Sequence, residues 1–368
     1  MYSNYTPAKI PYESLTHLNY AFANVFPENG TVYLTDAWAD EQMRYTADAD
    51  SPDPVDDGTP DNNLYGNLKR LNLLKRKNRN MKLILSIGGF TYSPNFWPTL
   101  SYSKNITNFA KSAVSIMENY GLDGLEIDWE YADTEEKAAA FVALLKKIRT
   151  ELTKVEHRTG HGAKFQLIAA LPAGDPKIAV LDIVGMNKYV QTYSVLSYDF
   201  AGSWSNTSSY GANLYAAPAS PDSVTNVDSV MKQYVAKGAH PSSLVAGLPL
   251  YGRSFADTDG LGKPFNGVSN ETADGTFKLK DLPQANAEVF EDFKVGASYS
   301  YDKDQRLLIS FDTTKIFTEK REYIVDNAFG GVNYWELSGD YNSSSAYTPV
   351  VPQGAKEVSE VWLADVKR

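Results

Sequence analysis

The stretch Gly121-Leu-Asp-Gly-Leu-Glu-Ile-Asp-Trp-Glu-Tyr131 sets Glu126, Asp128 and Glu130 at alternate positions. On a strand this spacing puts all three carboxylates on one face, successive ones roughly 6.5 Å apart, and turns Leu125, Ile127 and Trp129 to the other face. Three like charges in a row cost stability, so packing gives no reason for them. Their repulsion raises at least one pKa, and a carboxyl still protonated at neutral pH is what glycoside hydrolysis requires of its proton donor. The bland alternative is a solvated edge strand with its acids in water. The Gly-Leu-Asp lead and the strong helical pattern that follows argue against it.

Working outward, short apolar runs recur at 18–25, 83–87, 122–129, 165–171, 193–198, 244–250 and 332–337. Between them, 134–155 is the clearest helix: Phe141, Leu144, Leu145, Ile148, Leu152 and Val155 make one apolar stripe, and Asp133 with Glu136 can form a capping box. Segments 104–120 and 222–237 read as helices too. Strands buried on both faces and alternating with helices predict parallel βα units. Two architectures fit. An open doubly wound sheet is one, although no G-x-G-x-x-G follows any run. The other is a closed α/β fold, the TIM (β/α)8-type barrel, which needs one strand more than these seven; that strand is expected before Met1, so the chain reads as a barrel lacking its first strand. The run 48–63, dense in Asp, Pro, Gly and Asn, predicts a solvated loop. Segment 254–308 breaks the alternation, with strand-like pieces at 276–279, 296–301 and 307–311 and a helix-like piece at 282–290. It predicts a small α+β insertion domain between the seventh and eighth strands, with 1–253 and 309–368 forming the barrel.

The 368 residues carry a net charge of −10, which invites neither nucleic acid nor an anionic membrane surface. No apolar run is long enough to span a bilayer. The absence of cysteine excludes disulfides, thiolate nucleophiles and zinc–cysteine sites. His17, His157, His161 and His240 are scattered, none in an H-E-x-x-H arrangement. Aromatic residues reach 12%, which suits either a sugar-binding surface or a bulky core. No basic n-region or apolar h-region follows Met1, so no signal peptide is read; a cytosolic protein and a removed targeting segment both fit.

With these motifs in order, the chain resembles glycoside hydrolase family 18, the chitinase family, of fungal type. Asp123, Asp128 and Glu130 match its D-x-x-D-x-D-x-E strand, and position 126 departs with Glu in place of the usual Asp. Ser86-Ile-Gly-Gly89 is similar to the family's S-x-G-G strand end. Ser197-Tyr-Asp-Phe200, followed by Gly202 and Trp204, resembles its M-T-Y-D segment, with Leu196 for Met. Gly247-Leu-Pro-Leu-Tyr-Gly-Arg253 and Gly330-Gly-Val-Asn-Tyr-Trp335 resemble its last two strands, and the insertion falls where many members carry one. The resemblance covers nearly the whole chain and begins just after the family's first strand.

The resemblance implies a chitinase that hydrolyses β-1,4-linked N-acetylglucosamine polymers or oligomers with retention, the substrate's own acetamide acting as nucleophile. In that scheme Glu130 is the acid and later the base. Asp128 orients the acetamide, Glu126 shares charge and proton with Asp128, and Tyr198 hydrogen-bonds the acetamide from the opposite wall. Asp199 contacts the distorted sugar and Trp335 floors its subsite. Tyr131, Phe90, Phe22 and Arg253 line the cleft, Phe90 standing where the family often has Trp. No metal and no cofactor are implied, and the expected partners are chitin or its oligosaccharides, met by a monomer acting outside the cell. The rivals are a chitin-binding lectin that has lost catalysis and an endo-β-N-acetylglucosaminidase cutting the N-glycan core. Retention of Glu130 favours an enzyme over the lectin. The insertion, Trp335 and the Tyr-Gly-Arg segment lean toward chitin.

Overall fold

The computed structural model describes residues 5–45, 64–160, 162, 164–218, 224–269, 271–272 and 274–341, with the backbone of 359–363. The loop expected at 48–63 lies outside the described residues. In chain order the strands are β1 (His17–Val25), β2 (Val32–Leu34), β3 (Lys82–Gly88), β4 (Gly124–Asp128), β5 (Gln166–Leu171), β6 (Thr192–Val195) and β7 (Leu244–Pro249). They continue as β8 (Tyr251–Phe255), β9 (Thr276–Lys278), β10 (Glu288–Asp292), β11 (Ala297–Asp302), β12 (Leu307–Ser310), β13 (Gly331–Trp335) and β14 (Ser359–Leu363).

Strands β1, β3, β4, β5, β6, β7, β13 and β14 pair in that order, all parallel, and β14 pairs back with β1. This is a closed (β/α)8 ring, with β2 added antiparallel to β1. Seven of its strands are the apolar runs of the sequence. The eighth was expected before Met1; in this structure the place between β13 and β1 is held by β14, whose backbone pairs His17 with Glu360 on one side and Val332 with Ser359 on the other. The five-residue Ser-Glu-Val-Trp-Leu is too short and too interrupted by charge to stand out as an apolar run.

The ring is held from outside by helices. Helix Glu135–Thr159 buries the whole predicted stripe, Phe141, Leu144, Leu145, Ile148, Leu152 and Val155, each such apolar side chain contributing about 1.5–3 kcal/mol relative to exposure. Its cap is Thr134, whose hydroxyl accepts from the Lys137 amide at 3.2 Å, not the predicted Asp133–Glu136 box; Asp133 is engaged instead with the Lys137 ammonium at 2.6 Å. Helix Ser103–Asn119 matches its sequence pattern. Helix Val227–Ala236 starts later than predicted, where Asn226 caps the Ser229 amide.

Strands β8 to β12 form a separate antiparallel sheet, in the order β10-β11-β12-β8-β9. Its first strand follows β7 after one residue, so the Tyr-Gly-Arg segment belongs both to the barrel mouth and to the inserted sheet. The helix expected at 282–290 is absent from this sheet and corrected to a turn and the strand β10. Pro283 removes an amide donor and Asn286 takes a left-handed φ of 66°, and both end a helix.

Candidate active site

Strand β4 places its acids as the alternation requires. Glu126 is 0% and Asp128 1% exposed, inside the ring, while Trp129 points outward between Phe96 and Phe141, with ring centroids 5.7 and 5.8 Å away. Glu130 lies just beyond the strand end, half-buried, at the C-terminal mouth where barrel enzymes collect their reactive groups. Asp123, at the other end of the segment, is structural: its carboxylate accepts from the Leu83 amide at 2.8 Å and pairs with Lys75.

The close approach of β3 to β4 depends on Gly88 and Gly89. A Cβ at Gly88, where φ is 117°, would stand 2.1 Å from the Asp128 carbonyl oxygen; one at Gly89 would stand 2.6 Å from the Phe22 ring. Past these glycines Ser93 ties the two strand ends together. Its hydroxyl accepts from the Glu130 amide at 2.7 Å and lies 2.9 Å from the Gly89 carbonyl. The sequence reading missed Ser93, because a serine in a loop carries no signal until the loop is folded.

Phe22, Tyr131, Tyr198 and Trp335 pack around Ala170 and Leu196 as one cluster, so four strand ends deliver predicted residues to one place. Phe22 and Trp335 stack at 5.5 Å. Asp199 takes a left-handed φ of 59° and is gripped by Arg253, Nε at 2.5 Å and Nη2 at 2.7 Å, and by the Tyr251 hydroxyl at 2.6 Å. Tyr251 was quoted within a motif but not singled out, although it also meets Tyr198 edge-on at 6.2 Å. The Arg253 guanidinium in turn lies 4.9 Å above Trp204, which is 59% exposed. Phe90 is the residue the fold does not gather: its ring is 76% exposed on the rim.

Burial dominates the electrostatics. It raises Asp128 well above the usual carboxylate range, with Glu130 and then Glu126 adding repulsion. Glu130 is also raised by burial; Asp199 adds to the rise, while Tyr131, Lys177 and the Phe90 backbone oppose it. Burial likewise keeps the Tyr198 and Tyr131 phenols neutral, with the nearby acids reinforcing it. Neither Asp128 carboxyl oxygen accepts a hydrogen bond among the described residues. A buried acid without a donor costs free energy unless a ligand supplies one.

The rest of the surface offers less chemistry. An open groove of about 750 Å³ lies on the outer face of helix Glu135–Thr159, but three of its cations, Arg149, Lys154 and Arg158, are held by Glu156, Glu151 and Glu118. Among the described residues no group of three or more His, Asp or Glu side chains has the arrangement of a metal site, and no helix is long and apolar enough to cross a membrane.

The profile of glycosyl hydrolases family 18 matches residues 1–340. The chain belongs to this family. Endochitinase 1 of Metarhizium robertsii is 42% identical over 339 residues, 92% of this chain and 78% of the relative. Chitinase 1 of Aphanocladium album is 38% identical over 353 residues, 95% of this chain and 82% of the relative. Among solved structures, the catalytic domain of a psychrophilic chitinase B from Arthrobacter superposes with a TM-score of 0.83 at 26% identity, covering 98% of this chain and 94% of that one. A chitinase from Bacillus thuringiensis gives 0.83 at 27% identity, covering 95% of this chain and 66% of that one.

Proposed function

We propose that this family 18 member is a chitinase, hydrolysing β-1,4-linked N-acetylglucosamine chains with retention of configuration through the substrate's own acetamide. The observation that carries the reading is the open carboxyl of Asp128, buried between Glu126 and Glu130 at the mouth and facing no donor among the described residues. An acetamide N–H is the donor that fits it. Once Asp128 accepts that N–H, the acetamide carbonyl oxygen is turned toward the anomeric carbon. Glu130, whose protonated form burial favours, gives its proton to the glycosidic oxygen as the C1–O bond breaks. The carbonyl oxygen forms the new bond to C1, and the resulting oxazolinium ring is stabilised by Asp128, with Glu126 sharing its proton. Water then opens the ring while the Glu130 carboxylate takes its proton, which restores the acid and leaves a β product.

The neutral phenol of Tyr198 donates to the acetamide from the facing wall. Trp335, braced by Phe22, gives an apolar floor for the C–H face of the distorted sugar, and Asp199 is held by Arg253 and Tyr251 to receive a sugar hydroxyl. Tyr131 lines the wall beside the acid, and exposed Phe90 offers a weak stacking surface at the rim. The proposed setting is outside the cell, with the enzyme acting as a monomer. The binding-only alternative is disfavoured because the proton donor is present.

The test is Glu130→Gln. Release of a chromophore from an N-acetylchitooligosaccharide glycoside should disappear while binding of the oligosaccharide survives. Activity within about tenfold of wild type would exclude Glu130 as the donor, since losing a general acid costs roughly 10²–10⁴-fold.

A further inference from the structure

Lys177 stands beside the reacting acid without a role in the scheme above. It lies in the short helix Asp175–Val180, just beyond the end of β5, and is half-buried. Its ammonium sits 3.6 Å from the centroid of the Tyr131 ring, and among the described residues it makes no ion pair and no hydrogen bond. That is unusual for a partly desolvated cation, because burial without a partner penalises the charged form. Asp133 is the neighbouring acid on the same side, but it is engaged by Lys137. What the lone charge does face is Tyr131 and, past it, Glu130.

We propose that Lys177 is a positioning residue for the proton donor, holding Tyr131 against Glu130 and stabilising the carboxylate that Glu130 becomes when it protonates the leaving oxygen. The inference rests on Glu130 being that donor. The groups facing Glu130 are Asp128 on its own strand, Asp199 and Tyr198 from the segment after β6, Tyr131 next in sequence, the Phe90 backbone after β3, and Lys177 after β5. Asp128 and Asp199 repel its carboxylate, and the phenols stay neutral over the working range. Lys177 is thus the one cation among these groups, and it balances part of that repulsion. Its field favours proton release by Glu130 in the first step, the one that kcat/KM reads, and by the same sign makes the carboxylate a weaker base in the second.

The sign is testable. With the cation removed, Glu130 holds its proton to higher pH, so the alkaline limb of the kcat/KM profile moves up. A unit charge several ångströms away at an effective dielectric of about 20–40 corresponds to a shift of roughly half to one pH unit. The experiment compares wild type with Lys177→Met, Lys177→Gln and Lys177→Arg on one N-acetylchitooligosaccharide glycoside across pH 4 to about 10. Met keeps the stem over Tyr131 and removes the charge; Gln serves if Met does not fold; Arg keeps the charge. The inference requires the alkaline limb to rise in Met or Gln, with a several-fold fall in kcat below it, and to return in Arg. A limb that stays in place without the charge, or an Arg variant that behaves as Met does, overturns it. Failure of the broader reading looks different: Glu130→Gln would then retain activity, whatever the Lys177 variants do.

Discussion

Glu126 carries one methylene more than the Asp usual at its place in the family, and it is wholly buried. Its carboxylate either crowds Asp128, which keeps a shared proton, or folds aside and leaves Asp128 a poorer partner. A misplacement of about 1 Å near a reacting centre can cost on the order of a hundredfold. We therefore expect Glu126→Asp to raise kcat, by up to about tenfold, with little change in KM, while the lost methylene lowers stability by about 1 kcal/mol. A pH–rate profile and a thermal melt of both forms check this, and a slower Glu126→Asp would mean that the pocket has adapted to Glu. Asp128 gives a second expectation, with a definite sign. Its folded pKa is raised well above the usual carboxylate range, by burial first. Such a group supports the fold fully below its unfolded pKa of about 3.9, and that support is lost as pH rises toward the folded value. Asp128→Asn should therefore melt a few degrees above wild type at pH 7, with the difference vanishing near pH 4 or below; equal melting points at pH 7 would show that the buried acid carries no cost. The acids were readable from the sequence because a strand's period of two fixes their face. Ser93, Tyr251 and Lys177 were not, since each acts through a neighbour that only the fold supplies.

Seven strands could be read because each is an apolar run bounded by polar turns, and helix Glu135–Thr159 because its stripe repeats over several turns. The elements that escaped are those whose signal is short or competes with another. Thr134 caps the helix although Asp133 and Glu136 offered an equally plausible pair, and the choice follows from Lys137 drawing Asp133 away. Strand β10 hides behind Pro283 in a segment with helix-like spacing. Strand β14 is five residues long, yet it supplies the backbone partners of both β1 and β13. Ending the chain at residue 358 should leave two parallel edges unpaired, a template for association. We expect a lowered thermal transition and soluble aggregates by size-exclusion chromatography. A melting point within about 2 °C of the longer chain, the equivalent of less than about 1 kcal/mol, would show that the ring does not depend on β14.

At the scale of the molecule, two sheets share one short hinge of sequence. The ring brings Asp128, Glu130, Tyr198 and Trp335 to its mouth, and the inserted sheet begins at Tyr251 and Arg253, which grip Asp199 from the side. In the proposed reaction the acids transfer the proton and the aromatic residues form a sugar platform, and the nucleophile is part of the substrate. That claim separates it from hydrolysis by direct attack of water, which would use the same acid and leave the opposite anomer. The direct measurement is proton NMR of the anomeric signals during the first turnovers on an N-acetylchitooligosaccharide, before mutarotation, with a fully deacetylated oligomer run in parallel. Substrate-assisted hydrolysis yields an initial β-anomer from the acetylated chain and leaves the deacetylated one bound but uncleaved. An initial α-anomer, or cleavage of the deacetylated chain at a comparable rate, would contradict it.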